Sequence, residues 1–276
     1  MLRVFASAKV NLWLHLIGRR PDGFHEIETA MVPLALGDEI QVERAARTEL
    51  ICSDPTLPTG EENLALRAVR ILESETGRLL PVRIHLDKQI PAGAGLAGGS
   101  SDAVAVLKAV NTLYELHYDE AALQNAAAKI GSDTAFFVRG GAAICRGRGE
   151  ILANAGDVSS LRDRWVLLVK PPFGIPTPWA YSRWAQMQPP PGETQSLESW
   201  TLRNDLEAPV FEKYLALPTL KNWLSEQPGV EAALMSGSGS TLFAIVSSET
   251  DGRTLEATTR AHVGEPFWIR LTQFAV

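Results

Sequence analysis

The chain has 276 residues, a length typical of about two domains. It carries 26 Lys and Arg against 32 Asp and Glu, a formal net charge of −6, and 45% of its residues are apolar and 21% charged. These proportions are typical of soluble globular proteins and exclude a disordered or fibrous chain. The acidic balance also argues against nucleic acid as a partner, because no basic excess is present to neutralise its phosphates.

The two cysteines, Cys52 and Cys145, form no CxxC or Cys/His cluster, so no zinc site is expected. They fit small apolar core residues in a reducing compartment. Lys9, Asn11 and His15 interrupt the apolar N-terminal run, which argues against a signal peptide. No apolar run reaches the roughly 18 residues that a membrane-spanning helix needs. The sequence therefore predicts a cytoplasmic protein that makes no membrane contact.

Hydrophobic periodicity predicts a mixture of strands and helices in the first half of the chain. We predict one long strand or two short ones over residues 2–18, and further strands over 27–34, 39–43, 82–86 and near 142–145. We predict helices from an Asn63 cap to about residue 75, from about 101 to 115 and from about 119 to 130.

The second half shows the same mixture. We predict strands over residues 165–170, 230–235, 241–246 and 267–274. We predict helices from residue 176 onward, over about 206–215 and 220–226, and near 254–262. The proline-rich stretch 188–199 is predicted to be an exposed loop. The fold class is therefore α+β, with two domains over residues 1–155 and 156–276.

The most unusual segment is PAGAGLAGGSS at residues 91–101, ahead of a predicted helix. Glycine loops let backbone N–H groups approach an anion, and a helix N-terminus adds partial positive charge, so the segment is a candidate phosphate cradle. It fits the dinucleotide pattern GxGxxG, but one helix fills the spacing to Glu115, where that fold needs a second strand. The Walker pattern fails because Gly99 stands at its lysine position. A purely structural loop remains the alternative.

A second loop, SGSGST at residues 236–241, lies between two predicted strands. Alone, it could be a flexible hairpin. Two such loops in one chain favour a phosphate-rich or nucleotide site that both halves build.

Three polar residues are candidates for chemistry. Lys9 lies in an apolar strand, where it either faces outward or holds a carboxylate or phosphate. Asp133 follows a predicted helix, where it could accept a hydroxyl proton or cap the next helix. His25 follows a turn and is either a surface histidine or a reader of a heterocycle on which Phe24 stacks.

Together these elements resemble the 4-diphosphocytidyl-2-C-methyl-D-erythritol kinase family of the GHMP kinase superfamily. The segments that carry the resemblance, in family order, are AKVNL at 8–12, GRRPDGFHE at 18–26, PAGAGLAGGSS at 91–101, GSD at 131–133 and SGSGST at 236–241. The two glycine loops are common to the superfamily. GRRPDGFHE, IPTP at 175–178 and RNDLE at 203–207 are more specific to this family. Phe24 stands where the family usually has Tyr, and Thr134-Ala135 where it usually has Val-Pro.

The resemblance implies a two-domain fold with ATP and substrate in the cleft between an N-terminal ATP-binding domain and a C-terminal domain. It implies transfer of the γ-phosphoryl group of ATP to the 2-hydroxyl of the cytidyl-diphospho-methylerythritol, a step of non-mevalonate isoprenoid precursor synthesis. Mg²⁺ would accompany ATP, although no protein ligand of the metal is identified. The expected partner is this small molecule, with no nucleic acid or membrane, and the expected assembly is a monomer or homodimer.

The resemblance also implies residue roles. Asp133 would be the general base, with Lys9 as its partner. The residues implied to bind ATP are Asn63, Lys88, Pro91, Ala92, Gly93, Ala94, Gly95, Leu96, Ala97, Gly98, Gly99, Ser100 and Ser101. The residues implied to bind the substrate are Asn11, Phe24, His25, Thr177 and Tyr181. His25 would recognise the edge of the cytosine, and the aromatic rings would stack on it.

Two alternatives remain at this stage. Another GHMP kinase, acting for example on homoserine or mevalonate, would share both glycine loops. The Phe24-His25 pair argues against it, because those substrates have no base on which to stack. A nucleotide-binding regulator without catalysis is the second alternative, and the presence of both Lys9 and Asp133 argues against it.

Overall fold

A computed structural model describes residues 1–276. The first part of the chain forms β1 (Leu2–Arg19), β2 (His25–Arg44), β3 (Glu49–Cys52), α1 (Leu64–Thr76), β4 (Val82–Asp87), α2 (Gly98–Leu113), α3 (Glu120–Ala128), α4 (Thr134–Arg139), β5 (Ala143–Gly147) and β6 (Ile151–Asn154). The remainder forms β7 (Trp165–Lys170), α5 (Thr177–Met187), β8 (Gln195–Leu197), β9 (Trp200–Asn204), α6 (Glu207–Lys213), α7 (Ala216–Ser225), β10 (Val230–Met235), β11 (Leu242–Val246), α8 (Glu249–Val263) and β12 (Trp268–Gln273). No helix is both long enough and apolar enough to span a bilayer.

Two sheets stack with helices on their outer faces. The first sheet has eight strands in the order β3-β4-β2-β1-β9-β8, with β5 beside β2 and β6 beside β5. The second sheet has the order β10-β11-β7-β12 and is antiparallel. Alternation along β7 divides its side chains between two cores, because successive residues of a strand point to opposite faces. Val166 and Leu168 pack toward the first sheet, while Leu167 and Val169 pack against the helices α5 to α8.

Strands β1 and β2 form one long antiparallel hairpin, in which Leu2 pairs with Val42 and Arg19 with His25. The prediction of two separate strands over 27–34 and 39–43 was wrong, since β2 is continuous. Gly37 makes this continuity understandable: a Cβ there would lie 2.5 Å from Ala6 O, so only glycine fits the close approach of the two strands. Next to this close approach, the pairing of β1 with β2 shifts register between Ser7 and Lys9.

Helices α1 and α2 cover one face of the first sheet. The predicted cap is confirmed, because Asn63 Oδ1 accepts a hydrogen bond of 3.0 Å from Ala65 N. Helix α2 starts at Gly98, three residues earlier than predicted, so the last glycines of the loop already form its first turn. The prediction from apolar spacing is confirmed where Val104, Leu107 and Val110 are buried in the core.

Two strands from the second half of the chain, β8 and β9, belong to the first sheet. The predicted loop at 188–199 contains β8, which pairs with β9, and β9 runs parallel to β1 with Leu14 opposite Asn204. The prediction of a purely exposed loop was therefore wrong in its second part, because pairing between distant strands leaves no local pattern in the sequence. The division at residue 155 stays a prediction. The first sheet does not end there, since it also includes residues 195–204.

Candidate active site

A cleft of about 1260 Å³ opens where the two glycine loops meet. The predicted residues that line it are Lys9, Asn11, Phe24, His25, Asn63, Lys88, Pro91, Ala92, Gly93, Ala94, Gly95, Ala97, Gly98, Gly99, Ser100, Asp133, Thr177 and Tyr181. Two predicted residues, Leu96 and Ser101, are buried and do not line it. Leu96 packs in the core between the sheets, and Ser101 is the fourth residue of α2 and lies on its buried side.

The first glycine loop adopts left-handed backbone conformations at Gly93, Gly95 and Ala97, with φ of 60°, 76° and 58°. This bends the chain directly into α2 and brings Gly98, Gly99 and Ser100 to the cleft. The first N–H groups of a helix have no partner within the helix. The loop therefore presents unpaired donors and the positive end of a helix dipole to the cleft, a combination that suits an anion.

The second glycine loop packs directly on the first. Ser236 Oγ donates a hydrogen bond of 3.0 Å to Gly95 O, and Thr241 N donates one of 3.2 Å to Ala94 O. A Cβ on Gly95 would lie 2.2 Å from Ser236 O, so only glycine allows this contact. The two loops are thus parts of one wall rather than independent turns, which excludes the flexible-hairpin alternative for residues 236–241.

Lys9 lies on β1, on the face opposite the neighbouring core residues Ala8 and Val10. Its ammonium is buried, with 3% of the side chain exposed, and donates hydrogen bonds to Asn11 Oδ1 at 2.7 Å and Gly95 O at 3.0 Å. Burial lowers the pKa of Lys9 below its ordinary value, and the Asp133 carboxylate partly opposes this effect. The outward-facing alternative for this lysine is therefore excluded.

Asp133 occupies the residue before α4, yet its side chain makes no capping hydrogen bond. Its Oδ2 lies 3.8 Å from Lys9 Nζ, and about a third of the side chain is exposed to the cleft. The helix-capping alternative is thus excluded. Thr134, where the family usually has Val, stabilises the turn beneath it: its Oγ1 lies within hydrogen-bond distance of Ala127 O (2.7 Å) and Gly131 O (2.6 Å).

The other end of the cleft is aromatic. The rings of His25 and Tyr181 have centroids 5.3 Å apart, and the ring of Trp184 meets His25 edge-on at 6.0 Å. The guanidinium of Arg148 lies 4.6 Å from the centroid of the Phe24 ring. His25 Nε2 is buried and has no hydrogen-bond partner, although buried polar atoms usually have one. Burial, together with Arg19, lowers the pKa of His25, which favours the neutral ring.

Lys88 lines the cleft, but two carboxylates hold its buried ammonium. It pairs with Asp38 and, at 2.7 Å, with Asp102 Oδ2. Burial lowers the pKa of Lys88, but Asp102 and Asp38 outweigh this effect and raise it. Burial raises the pKa of Asp102 to about 7, with Lys88 acting against the shift and Asp38 adding to it. Asp102 Oδ1 has no hydrogen-bond partner.

Sequence reasoning missed several cleft residues. Asp102 carried a detectable signal, because it is a charged residue within a predicted apolar helix. Arg148 and Trp184 carried none, since only the tertiary fold brings them to Phe24 and His25.

Thr177, which the resemblance implies to bind the substrate, lies at the start of α5 and lines the cleft. Its Oγ1 lies 2.8 Å from Ser238 Oγ, which joins the start of α5 to the second glycine loop. Its hydroxyl therefore faces the cleft wall, where it helps to place that loop.

Comparison with known proteins agrees with this geometry. Residues 63–141 match the family of GHMP kinases N terminal domain, and residues 192–262 match GHMP kinases C terminal. The 4-diphosphocytidyl-2-C-methyl-D-erythritol kinase of Methylacidiphilum infernorum is 40% identical, over 97% of this chain and 94% of that protein. The protein of the same name from Protochlamydia amoebophila is 41% identical, over 88% of this chain and 84% of that protein.

A crystal structure of a 4-(cytidine 5'-diphospho)-2C-methyl-D-erythritol kinase matches with a TM-score of 0.80 at 32% identity, over 99% of both chains. A homoserine kinase from Cytophaga hutchinsonii matches with a TM-score of 0.70 at 14% identity, over 99% of this chain and 94% of that one, and thus shares the fold alone. The cleft and these matches define a GHMP kinase, an ATP-dependent phosphotransferase of two-domain α+β fold. Within that class, the chain belongs to the 4-diphosphocytidyl-2-C-methyl-D-erythritol kinase family.

Proposed function

We propose that the chain transfers the γ-phosphoryl group of ATP to the 2-hydroxyl of 4-diphosphocytidyl-2-C-methyl-D-erythritol, a step of non-mevalonate isoprenoid precursor synthesis. The observation that carries this proposal is the position of the Lys9–Asp133 pair, in one cleft with a phosphate-binding loop and an aromatic group. The substrate has two ends that match this layout. Its base needs rings and a hydrogen-bonding edge, and its hydroxyl needs a proton acceptor.

At the donor end, the N–H groups of the first glycine loop and of the first turn of α2 would bind the ATP phosphates. Asn63 would contact the adenosine portion. Lys88 has a different part, because both its carboxylate partners already neutralise its charge. It would therefore fix the base of α2 rather than supply a free cation to the phosphates. Leu96 and Ser101 would act only through their main chain.

The cleft also fits Mg²⁺ carried by ATP. Mg²⁺ in kinases is held by one or two protein oxygen atoms together with substrate phosphates and water. The Ser100 hydroxyl and the Asp133 carboxylate are such atoms, and Ser100 lies beside the Asp133 turn, with its Oγ 3.9 Å from a Cβ built on Gly131. Bound there, the ion would neutralise charge that develops on the transferring group.

At the point of transfer, Asp133 would accept the proton of the substrate hydroxyl as its oxygen attacks the γ-phosphorus. A positioned general base of this kind contributes about 100- to 10 000-fold to a rate. The Lys9 ammonium would keep Asp133 ionised and stabilise charge at the reacting oxygen. Asn11 holds Lys9 through its Oδ1, and its own Nδ2 donates to Thr29 Oγ1 at 2.8 Å, so the lysine is fixed before substrate binds.

At the acceptor end, the buried and unpartnered Nε2 of His25 would bind the edge of the cytosine. Tyr181 and Phe24 would stack on the base, which needs their rings and not a phenol hydroxyl on residue 24. A site built to hydrogen-bond a base discriminates against substrates that lack one, because the buried polar atom is then left unpaired.

The test is a coupled assay of ADP release with the cytidyl substrate, with and without Mg²⁺, alongside homoserine and mevalonate. Of the three alcohols, we expect only the cytidyl substrate to be turned over, and only with Mg²⁺. Mass spectrometry should show a product that is one phosphate heavier than the substrate. Turnover of homoserine or mevalonate in its place would show another kinase of this fold. ATP binding without turnover of any alcohol would show a regulator.

A further inference from the structure

The segment RNDLE at residues 203–207 has no part in the chemistry described above, yet Asn204, Asp205 and Glu207 are buried. Asp205 joins it to β1: Leu16 N donates to Asp205 Oδ2 and Asp205 N donates to Leu14 O, both at 2.9 Å. The segment is therefore fixed to the strand that carries Lys9.

Asn204 extends from this segment to the second glycine loop. Its Nδ2 donates hydrogen bonds of 2.7 Å to both Met235 O and Gly237 O, and its Oδ1 accepts one of 2.9 Å from Leu206 N. The residue is 1% exposed, so no water replaces these bonds. Only an amide offers two donors and an acceptor on one planar group. No other natural side chain of similar size would satisfy all three partners.

The position of Gly237 sets how close the second loop comes to the reacting groups. A Cβ on Gly237 would lie 3.1 Å from Gly95 O and 3.4 Å from Lys9 Nζ. The N–H groups of Gly237 and Ser238 donate no hydrogen bond within the protein, and both residues line the cleft. The loop thus brings two free donors close to Lys9, at a position that Asn204 determines.

We propose that Asn204 is a positioning residue for phosphoryl transfer, which holds the second glycine loop at a fixed distance from Lys9 on β1. This inference rests on the proposed function, since it assigns the loop to the site of transfer. Asn204 touches no substrate. Loss of its carboxamide would free Gly237 O and let the loop move from Lys9 and from the first glycine loop.

The experiment compares Asn204→Ala and Asn204→Asp with Gln195→Ala as a matched control. Gln195, on β8, also carries a carboxamide: its Nε2 donates a hydrogen bond of 2.7 Å to Ala233 O on β10 and its Oε1 accepts one of 3.0 Å from Ala233 N, but it does not reach the loop. We expect kcat to fall about tenfold or more in both Asn204 variants, because small misplacements at a reacting centre are costly. KM for ATP should change less than kcat. Gln195→Ala should lower Tm while kcat stays near wild type.

Hydrogen exchange by mass spectrometry tests the same point without any substrate. In Asn204→Ala, amides of residues 91–101 and 236–241 should exchange faster than in the wild type and in Gln195→Ala. The proposal would be overturned if both loops exchanged at the same rate in Asn204→Ala as in the wild type. It would also be overturned if the kcat of Asn204→Ala were no lower than that of Gln195→Ala. If the wild-type protein does not turn over the cytidyl substrate, the proposed function fails, and the exchange result still decides whether Asn204 holds the loops.

Discussion

The buried ammonium of Lys9 lies 3.8 Å from Oδ2 of Asp133, and both residues open onto the same cleft. The first prediction follows from this pair. Asp133→Asn keeps the shape of the side chain but removes its ability to accept a proton, so we expect kcat to fall by about 100- to 10 000-fold. ATP affinity, measured by calorimetry without Mg²⁺, should stay near the wild-type value. Near-normal turnover of this variant would rule out the role of general base.

The second prediction concerns pH. Because burial lowers the pKa of Lys9, its ammonium loses its proton at a lower pH than an ordinary lysine. A rate that needs this charge should therefore fall as pH rises, before ordinary lysines titrate. We expect kcat to fall at a pH below about 10.4, the ordinary pKa of a lysine. The arginine of Lys9→Arg stays charged over the same pH range. The kcat of this variant should therefore show no such fall with pH, even if it is lower at every pH. Identical profiles would contradict the assignment.

The third prediction tests the contact between the loops. Gly95→Ala places a Cβ 2.2 Å from Ser236 O at a φ of 76°, so the loops must separate. Gly77→Ala is the matched control, since its φ is 65° but no atom lies within 4 Å of its Cβ. The control should lose about 1 kcal/mol of unfolding free energy, from backbone strain alone. Gly95→Ala should lose more unfolding free energy than the control, and its kcat should fall to a small fraction of the wild-type value. Equal losses in urea unfolding would show that the contact adds nothing.

The fourth prediction concerns the aromatic end. His25→Phe retains a ring beside Tyr181 but removes the nitrogen that has no partner in the protein. KM for the cytidyl substrate should rise about 10- to 100-fold, the effect of losing one buried hydrogen bond of about 1–3 kcal/mol. KM for ATP is the internal control and should not change. A parallel rise in both KM values would indicate a general distortion of the cleft.

The fifth prediction concerns stability. The pKa of Asp102 is raised to about 7, so the folded protein holds a proton that the unfolded chain releases at about pH 4. The contribution of Asp102 to the stability of the wild type therefore decreases as pH rises through this window. Asp102→Asn removes that dependence and leaves Lys88 paired with Asp38. As pH rises from about 4 to 7, the unfolding free energy of Asp102→Asn should increase relative to that of the wild type, by up to about 1.4 kcal/mol per pH unit. A constant difference in urea unfolding would contradict this.

Local features of this protein were predicted correctly from the sequence. Residues 165–170 form β7 as predicted, because a short run of β-branched and large apolar residues between turn signals permits little else. The cap at Asn63 and the glycine loop were also readable, since each depends on a few adjacent residues. Lys9 and Asp133 were singled out from their sequence context and given their paired roles by family motifs, and the fold places them in one cleft.

Long-range pairings were not readable. Nothing near Lys88 in the chain indicates that Asp38, from another strand, would neutralise it. Likewise, no local pattern showed that residues 195–204 return to the first sheet. Which strand pairs with which is decided by packing across the whole chain, and such information is spread over residues far apart in sequence.

The pairing of β9 with β1 also has a consequence for synthesis. Leu14 and Asn204 are neighbours in the sheet but about 190 residues apart in the chain. While the ribosome extends the chain, the edge of β1 stays without its partner until residue 204 has emerged. An open, apolar strand edge is a template for wrong pairing between chains. The nascent protein therefore passes through a long interval in which one edge of its first-made strand is open to wrong pairing.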